Sequence, residues 1–309
     1  MKAVRFHEYG GPEVLRYEDV EQPTPGAGQV RIRVAATSFN GVDANIRGGF
    51  MQGPIPVSLP HTPGIDVAGT VDALGDGVTG LRTGDRVIGF LPMAGVGAAA
   101  EYALAPAEAL TPAPASIPLA DAAALPLVGL TAWQALFDHA GLTNGRRVLI
   151  NGAGGAVGGY AVQLAKQAGA HVIAVTGARG AERARTAGAD EITETAEVKE
   201  PVDVVLNLAP ITPDELAALV TVIRDGGVLV NTTVWMPAPS DEQRGVRGID
   251  LFVRSDARQL AHLVDLVDRG TLHVEVARRV PLDELPALHT DAAAGTLPGG
   301  KIVVLVPQS

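Results

Sequence analysis

Residues 148–159 of this chain read Val-Leu-Ile-Asn-Gly-Ala-Gly-Gly-Ala-Val-Gly-Gly. The first three residues form a short apolar run that is typical of a buried strand, and a glycine-rich segment follows it at once. Beyond that segment, Val157, Ala161, Leu164 and Ala165 recur at helical spacing. The stretch therefore predicts a strand, a tight turn and a helix in direct succession.

The glycines of this turn indicate a phosphate site. A helix that begins just after such a turn points its free amide N–H groups, and the positive end of its dipole, at any group above the turn. Gly152, Gly155 and Gly158 have the spacing G-x-x-G-x-x-G, because Val157 stands where the common G-x-G-x-x-G has its third glycine. Taken alone, this spacing fits a plain strand-to-helix turn as well as a phosphate cradle.

The residues after the turn favour the cradle. Gly169-Ala170 ends the helical pattern and His171–Val175 predicts a second strand, which completes a βαβ unit of about thirty residues, as a dinucleotide-binding unit requires. An NAD site would have Asp or Glu at the end of this strand, whereas the chain has Thr176-Gly-Ala-Arg179, with further arginines close behind. Basic residues on a surface helix are often only solvated, but Arg179 lies in the turn itself. At this position a carboxylate would repel the 2′-phosphate of NADP, whereas a guanidinium would bind it. We therefore expect NADP, as NADPH, to be the cofactor.

Composition excludes several classes of protein. A chain of 309 residues is long enough for two domains, and its net charge of −10 disfavours nucleic acid or an anionic membrane as a partner. It has no cysteine, which excludes disulfides, thiolate nucleophiles and cysteine-ligated zinc. The first six residues alternate as in a strand and lack the long apolar core of a signal peptide, and no stretch reaches the roughly 18 apolar residues that a membrane span needs. We expect a cytoplasmic protein.

The order of predicted elements indicates an α/β protein with two domains. Residues 1–118 contain short β-branched runs separated by Pro/Gly-rich turns, which predicts an all-β barrel or sandwich. Residues 119–254 alternate strands and helices, which predicts a doubly wound parallel sheet. In residues 255–309, we expect a helix over 256–268 and strands over 274–280 and 302–306 that return to the first domain.

Within the alternating region, Asp121 is a candidate cap for a first helix, and a second helix is predicted over 129–140. The remaining predictions are strands over 148–150, 172–175, 202–206, 228–231 and 249–253, and helices over 157–168, 181–187 and 213–224.

Several short motifs occur in a fixed order along the chain. They are Asn40-Gly-Val-Asp43 with Arg47-Gly48, Pro63-Gly-Ile-Asp66-Val-Ala-Gly69, Gly84-Asp85-Arg-Val, Gly129-Leu-Thr-Ala132, the glycine turn, Gly188-Ala-Asp190 and Gly299-Gly-Lys-Ile-Val-Val304. In these motifs the chain resembles, over essentially its whole length, the zinc-free quinone oxidoreductase (zeta-crystallin-like) branch of the medium-chain dehydrogenase/reductase superfamily. The resemblance implies a GroES-like β-barrel catalytic domain (1–118, completed by 255–309), a Rossmann NADPH-binding domain (119–254) and a homodimer.

The departures from this superfamily concern the metal and the substrate. Its zinc alcohol dehydrogenases have Cys where Asn40 stands and Gly-His-Glu where Gly64-Ile65-Asp66 stands, so we expect no metal site. His61 is flanked by prolines and is interpreted as a loop histidine rather than a displaced ligand. The tyrosines that the quinone reductase branch often has near Asn45 and Met51 are missing, so the residues that orient the acceptor are not identified.

The resemblance also assigns roles by position. It places Asn40 beside the nicotinamide, Thr131 against the nicotinamide or phosphates, residues 155–158 around the pyrophosphate and Arg179 on the 2′-phosphate. Asn40 holding its loop and Thr131 capping a helix are equally open, and Asp43 with Arg47, four residues apart, is interpreted as a structural salt bridge. The predicted cofactor-binding residues are Asn40, Thr131, Gly152, Gly155, Ala156, Val157, Gly158, Thr176, Arg179, Leu208, Asn231 and Thr232.

Asn207 and Asn231 each lie at the carboxyl end of a predicted strand, at the edge of a parallel sheet where ligands bind. The neighbouring Trp235-Met236 pair is predicted to line the acceptor pocket. Phe50, Met51 and Phe252 fit either that pocket or the core.

Without a metal, reduction of a conjugated acceptor is the expected chemistry, because hydride arrival places charge on an oxygen that is already conjugated. We therefore predict reduction of a quinone or an α,β-unsaturated carbonyl by NADPH. Catalytic residues and a proton donor are not identifiable. The alternatives are an enoyl-thioester or secondary-metabolite reductase, and a non-catalytic NADPH-binding redox sensor.

Overall fold

The computed structural model describes residues 1–233 and 235–307. The chain divides into one unit of Met1–Leu127 with Ser255–Ser309 and a second unit of Val128–Arg254. The first boundary thus lies after Leu127, whereas the sequence predicted it after residue 118. The difference arises because the short 3₁₀ turn Asp121–Ala124 packs against strands of the first unit.

The helices and strands of the described residues follow in chain order. They are β1 (Lys2–Phe6), β2 (Leu15–Asp19), β3 (Gln29–Phe39), α1 (Gly41–Arg47), β4 (Asp66–Leu74), β5 (Arg86–Phe90), β6 (Tyr102–Pro106), β7 (Leu110–Pro112), α2 (Pro126–Trp133), β8 (Arg147–Asn151), α3 (Ala156–Gln167), β9 (His171–Val175), α4 (Ala178–Thr186), β10 (Glu191–Thr193), β11 (Val202–Asn207), α5 (Pro213–Thr221), β12 (Ile223–Asn231), β13 (Arg247–Asp250), α6 (Ala257–Asp268), β14 (Val276–Pro281), α7 (Leu285–Ala293) and β15 (Lys301–Leu305).

The first unit is built around a mostly antiparallel sheet with the order β14-β15-β3-β4-β5-β7, in which β6 also pairs with β3. Strands β1 and β2 form a separate hairpin. Strand β15 pairs antiparallel with β3, which confirms that the C-terminal strands return to this unit. The prediction that residues 1–118 are all-β is wrong at α1. That helix forms because the Asp43 carboxylate accepts a hydrogen bond from the Asn40 amide N–H at its start.

The second unit contains a six-stranded parallel sheet with the order β10-β9-β8-β11-β12-β13. Its central strands are buried runs of Val, Leu and Ile, as expected for a sheet with helices on both faces. The α/β class and the doubly wound sheet are therefore confirmed. Helix α4 begins three residues before the predicted start at 181, and this places Arg179 in its first turn.

Two predicted helix starts are wrong. Asp121 does not cap a helix: it lies in a 3₁₀ turn, and its carboxylate pairs with Arg279 at 2.7 and 2.8 Å. Thr131 does not cap one either, because α2 begins earlier, at Pro126, and continues as a π-helical segment over Gln134–His139. None of the helices in the described part of the chain combines the length and the apolar character that a membrane span needs.

Candidate functional site

The glycine turn between β8 and α3 has a backbone that other residues would not adopt easily. Gly152 has a φ of +86°. A Cβ on Gly158 would lie 2.5 Å from the carbonyl oxygen of Ala153, so the first turn of α3 can approach the loop only with glycine there. No side chain caps α3 at Gly155, which leaves the first amides of the helix without the side-chain acceptor that many helices have. This is the geometry that a pyrophosphate requires.

A second helix packs closely on the same turn. A Cβ on Gly154 would lie 2.4 Å from Thr176 Oγ and 2.7 Å from the Cα of Gly180, which is in the first turn of α4. The Arg183 guanidinium donates to the Gly154 carbonyl oxygen at 2.8 Å. Gly154 therefore joins the turn to α4 and brings the residue after β9, Thr176, beside the glycine turn.

The three arginines of α4 differ in their partners. Arg183 is bound to the Gly154 carbonyl, and Arg185 forms an ion pair with Glu182 one turn away. Arg179 is exposed and makes neither a hydrogen bond nor an ion pair with residues 1–233 or 235–307. Its guanidinium is thus the one of the three that can bind an added anion at the N-terminal end of α4 without breaking an existing bond.

The strand-end residues that the sequence singled out are held by one another. Asn231 is 1% exposed, and its amide NH₂ donates to the carbonyl oxygens of Thr233 at 3.1 Å and Met236 at 2.8 Å. The Leu208 N–H donates to the Asn151 carbonyl at 2.9 Å, and Thr232 Oγ donates to the Asn207 carbonyl at 3.0 Å. The predicted contact of the Asn231 side chain with a cofactor would need these hydrogen bonds to break.

Asn40 belongs to a buried polar network in the first unit. Its Oδ1 accepts a hydrogen bond from the Lys301 ammonium, and its Nδ2 donates to the Asp66 carboxylate at 2.9 Å. Lys301 also pairs with Asp66 at 3.2 Å, and both residues are at most 2% exposed. The amide of Asn40 therefore has a fixed direction, and its interpretation as the residue that holds its loop has direct structural support.

Asp43 and Arg47 do not form the salt bridge that the sequence predicted. The Asp43 carboxylate instead accepts from the main-chain N–H groups of Gly64 at 3.0 Å and Asn40 at 3.1 Å. Burial raises the pKa of Asp43 to about 6. Within the described residues, Nε and Nη1 of the buried Arg47 have no hydrogen-bond partner. The prediction is wrong because two backbone amides occupy the carboxylate.

His61 is a buried structural residue. Its main chain pairs with Phe6, and its ring meets the Phe6 ring edge-on with centroids 5.3 Å apart. Burial lowers the pKa of His61 to about 4, so the ring is neutral near pH 7.

The aromatic and Met candidates for the acceptor pocket fall into two groups. Trp235, Phe252 and Phe50 are 55%, 53% and 70% exposed, which is unusual for such large apolar side chains. Met51 is 2% exposed, and Met236 packs against the core of the second unit, so both contribute to packing.

The chain is similar to two known families and to known proteins over its length. Residues 26–115 match the family described as "Alcohol dehydrogenase GroES-like domain", and residues 171–304 match "Zinc-binding dehydrogenase". The "Chloroplast envelope quinone oxidoreductase homolog" of Arabidopsis thaliana is 34% identical over an alignment of 328 positions, gaps included, that covers 98% of each protein. The chain belongs to the medium-chain dehydrogenase/reductase superfamily. Within that superfamily it lies in the quinone oxidoreductase, zeta-crystallin-like branch, and it is an oxidoreductase.

Solved structures of this superfamily have the same fold. The quinone oxidoreductase from Coxiella burnetii is 30% identical, with a TM-score of 0.91 and 99% of both chains covered. A mycobacterial protein whose structure was solved in complex with NADPH is 29% identical, with a TM-score of 0.85, and the match covers 99% of this chain and 100% of that one. The quinone oxidoreductase branch uses a nicotinamide cofactor, and the cradle above the glycine turn fits such a group.

The zinc in the name of the second matched family does not fit the residues of this chain. Asn40, Ile65 and Asp66 stand where the zinc alcohol dehydrogenases have their cysteine, histidine and glutamate. The Asp66 carboxylate is already taken by the Lys301 ammonium, the Ser38 hydroxyl, the Asn40 amide and the Leu127 N–H. In residues 1–233 and 235–307, no group of three or more His, Cys, Asp or Glu side chains could hold a metal ion.

Proposed function

We propose that this chain transfers a hydride from NADPH to a quinone or an α,β-unsaturated carbonyl compound, without zinc. The observation that carries the proposal is the uncapped helix start above the glycine turn, with the unpartnered Arg179 guanidinium on the neighbouring helix. The first amides of α3, from Ala156 to Gly158, would hold the pyrophosphate, and Gly152 would let the backbone approach it.

Arg179 supports NADPH over NADH. A 2′-phosphate carries close to two negative charges and accepts charge-assisted hydrogen bonds, which a guanidinium supplies in a bidentate manner. Thr176, which directly follows β9, offers a hydroxyl three residues before Arg179 in the chain, and residues 176–181 contain no carboxylate that would repel the phosphate. Two further cofactor contacts rest on the family resemblance. We place Asn40, in the first unit, beside the nicotinamide, and Thr131, in the second unit, against the nicotinamide or the phosphates.

The four hydrogen-bond donors that occupy the Asp66 carboxylate support a reaction that needs no metal, because they leave this carboxylate unavailable as a zinc ligand. Coordination to zinc lowers the pKa of bound water by about nine units, which corresponds to roughly 12 kcal/mol of stabilisation for a comparable oxyanion. Hydrogen bonds from side chains do not replace an effect of that size easily. A conjugated acceptor asks for much less, because its own π-system spreads the charge that a hydride from the nicotinamide delivers.

A direct experiment separates the candidate acceptors. The purified protein is mixed with NADPH and, in separate cuvettes, a benzoquinone, an alkenal and a crotonyl thioester, while absorbance of the reduced nicotinamide is followed with and without EDTA. We expect oxidation with the quinone or the alkenal that EDTA does not change. Oxidation with the thioester alone would indicate an enoyl-thioester reductase, tight binding without oxidation a redox sensor, and loss of turnover with EDTA would refute the metal-free mechanism.

A matched pair of variants tests the cofactor. Arg179→Ala removes the free guanidinium, whereas Arg185→Ala removes one that is exposed on the same helix but paired with Glu182. The loss of charge-assisted hydrogen bonds worth about 1.5–3 kcal/mol should weaken NADPH about 10- to 150-fold in Arg179→Ala and leave NADH unchanged. Arg185→Ala should change neither by more than about twofold. Equal loss of NADPH and NADH, or a wild-type preference for NADH, would contradict the assignment.

The resemblance also supports a homodimer. Strand β13 is an outer strand of the six-stranded sheet. Its Gly248 N–H donates to Ser240 Oγ at 2.9 Å, so pairing of this edge with a second copy would require that hydrogen bond to be exchanged. Light scattering of the purified protein measures the assembly directly, and a monomer at micromolar concentration would contradict it.

A further inference from the structure

Three asparagines form a hydrogen-bonded row across the carboxyl ends of three parallel strands. Asn151, Asn207 and Asn231 are the last residues of β8, β11 and β12, and the sheet register places them side by side. Asn151 Nδ2 donates to Asn207 Oδ1 at 2.9 Å, and Asn207 Nδ2 donates to Asn231 Oδ1 at 2.9 Å. We call this row the asparagine ladder.

The direction of the ladder is determined by its inner end. The NH₂ of Asn231 faces the carbonyl oxygens of Thr233 and Met236 and, at 3.3 Å, the Asp250 carboxylate, all of which can only accept. The Asn231 oxygen must therefore face the other way, where it accepts from Asn207 and, at 2.7 Å, from Thr233 Oγ. If the Asn231 amide were reversed, its oxygen would face the oxygens of Thr233, Met236 and Asp250, none of which can donate a hydrogen bond.

This direction propagates along the row. Because Asn207 donates to Asn231, its own oxygen faces Asn151, so Asn151 must present its NH₂ to Asn207. Asn207 is fully buried, so no water can replace either bond. The oxygen of Asn151 is left at the outer end of the ladder, without a hydrogen-bond partner in residues 1–233 and 235–307.

Asn151 lies at a position where that oxygen can meet a ligand. It is partly exposed and directly precedes Gly152, the first residue of the glycine turn. Strand β9, whose end is followed by Thr176 and Arg179, lies on one side of β8, and β11 lies on the other, towards which the Asn151 amide is held. A dinucleotide with its pyrophosphate on the turn and its 2′-phosphate beyond β9 extends its nicotinamide half towards β11.

An amide oxygen accepts a hydrogen bond from a hydroxyl and repels a phosphate oxygen. We propose that the Asn151 amide oxygen accepts a hydrogen bond from a hydroxyl of the ribose that carries the nicotinamide, and that Asn207 and Asn231 are positioning residues that fix the direction of this amide. The inference rests on the dinucleotide binding proposed above, and it assigns Asn231 to the support of the cofactor site rather than to direct contact.

Three ligands test the inference by calorimetry, with no turnover required. NADPH and 2′-phospho-ADP-ribose contain the second ribose, whereas 2′,5′-ADP lacks it. For Asn151→Leu we expect binding of the first two to weaken about 3- to 10-fold, the range for one neutral hydrogen bond, while 2′,5′-ADP changes less than twofold. Thr233→Val is the matched control. It removes the hydrogen bond from Thr233 Oγ to the Asn231 oxygen but leaves the Asn231 NH₂ bound to its carbonyl oxygens, so all three affinities should stay unchanged.

The positioning role has its own test. Asn207→Leu should produce the same pattern as Asn151→Leu, and the double variant should bind NADPH no more weakly than Asn151→Leu alone, because Asn207 acts through Asn151. If Asn207→Leu does not fold, Asn207→Ala takes its place in this test, because its smaller side chain leaves a cavity that admits water between the Asn151 and Asn231 amides.

Each contrary result has a distinct meaning. Unchanged NADPH affinity in Asn151→Leu would refute the ribose contact, and equal weakening of all three ligands would show that the ladder only shapes the glycine turn. An additive double variant would refute the positioning role. Failure of the wild-type protein to bind NADPH at all would instead refute the proposed function.

Discussion

Replacing His289 with phenylalanine should remove much of the acid sensitivity of the first unit. His289 is 1% exposed on α7, its ring meets the Phe39 ring edge-on at 5.0 Å, and neither ring nitrogen has a partner among the described residues. Burial, together with the nearby Arg47 charge, lowers the pKa of His289 to about 3. Its folded pKa thus lies well below the value of about 6.5 in the unfolded chain.

The magnitude follows from this difference. Because the folded pKa is depressed, the contribution of His289 to stability is present above about pH 6.5 and is lost as the pH falls towards 3. At pH 4 the unfolded imidazole is protonated and the folded one is mostly not, which lowers the free energy of unfolding by about 3 kcal/mol. His289→Phe should therefore lose about 3 kcal/mol less than wild type between pH 7.5 and pH 4. At pH 7.5 the two should agree within about 1 kcal/mol, because no hydrogen bond is removed.

The assay must report on the correct unit. The two tryptophans of the chain, Trp133 and Trp235, both lie in the second unit, so their fluorescence follows the unfolding of that unit. Urea titrations at pH 4, 5, 6 and 7.5 are therefore followed by circular dichroism for both units and by fluorescence for the second. His61 and Asp43 titrate in both proteins, so their contributions cancel in the difference. Parallel pH profiles, or a loss above about 2 kcal/mol at pH 7.5, would refute the reasoning, since either means that the His289 nitrogens have partners.

Three other predictions concern the buried network and the glycine turn. Lys301→Met leaves the Asp66 carboxylate without its paired ammonium and should lower the free energy of unfolding by about 3–5 kcal/mol, measured by thermal unfolding. The double variant Lys301→Met/Asp66→Asn should recover most of that loss. Equal stability of the single and double variants would contradict the pairing. Burial raises the folded pKa of Asp43 to about 6, so its contribution to stability is present at low pH and is lost as the pH rises through 6. Between pH 4 and 7.5 this loss is about 2 kcal/mol, because the unfolded carboxyl is already about half ionised at pH 4. Urea titrations of Asp43→Asn should lack the loss, and an unchanged pH profile would exclude Asp43 as its source. Gly155→Ala should fold, because its added methyl meets only the Gly152 carbonyl oxygen at 3.3 Å, yet it should bind NADPH at least about tenfold more weakly, because the methyl occupies the proposed phosphate cradle. Gly159→Ala is the control, because a methyl there has open space around it, and it should bind NADPH normally. Equal NADPH binding by the two variants would argue against the cradle.

The sequence predicted well those features that depend on neighbours along the chain. The apolar run 148–150, the glycines after it and the helical spacing from Val157 predicted β8, the turn and α3 to within a few residues. The alternation of such units predicted the parallel sheet. Strand ends were less accurate where a strand extends beyond its apolar run, as in β12, which begins at Ile223 rather than 228.

Interactions across the fold could not be predicted in this way. Asp43 and Arg47 have the spacing of a helical ion pair, yet Asp43 binds the main chain of Gly64, which reaches it only after the loop that follows α1 has folded back. Asn231 was correctly placed at a strand end, but whether its amide is free or bound depends on Asn207 and on the loop to Met236. Residue type and spacing do not contain that information.

The sequence by itself determined most of the order of strands and helices in the second unit, the glycine turn and the absence of cysteine ligands, because each depends on residues close together or on composition. Only the tertiary structure decided which polar groups remain available. It pairs Lys301 with Asp66 across 235 residues and aligns Asn151 with Asn207 across 56, and so leaves the Asn151 oxygen and the Arg179 guanidinium without partners among the described residues. The physical reason is that most buried polar groups need a partner, and the way distant segments pack together determines which of them finds one and which partner it meets.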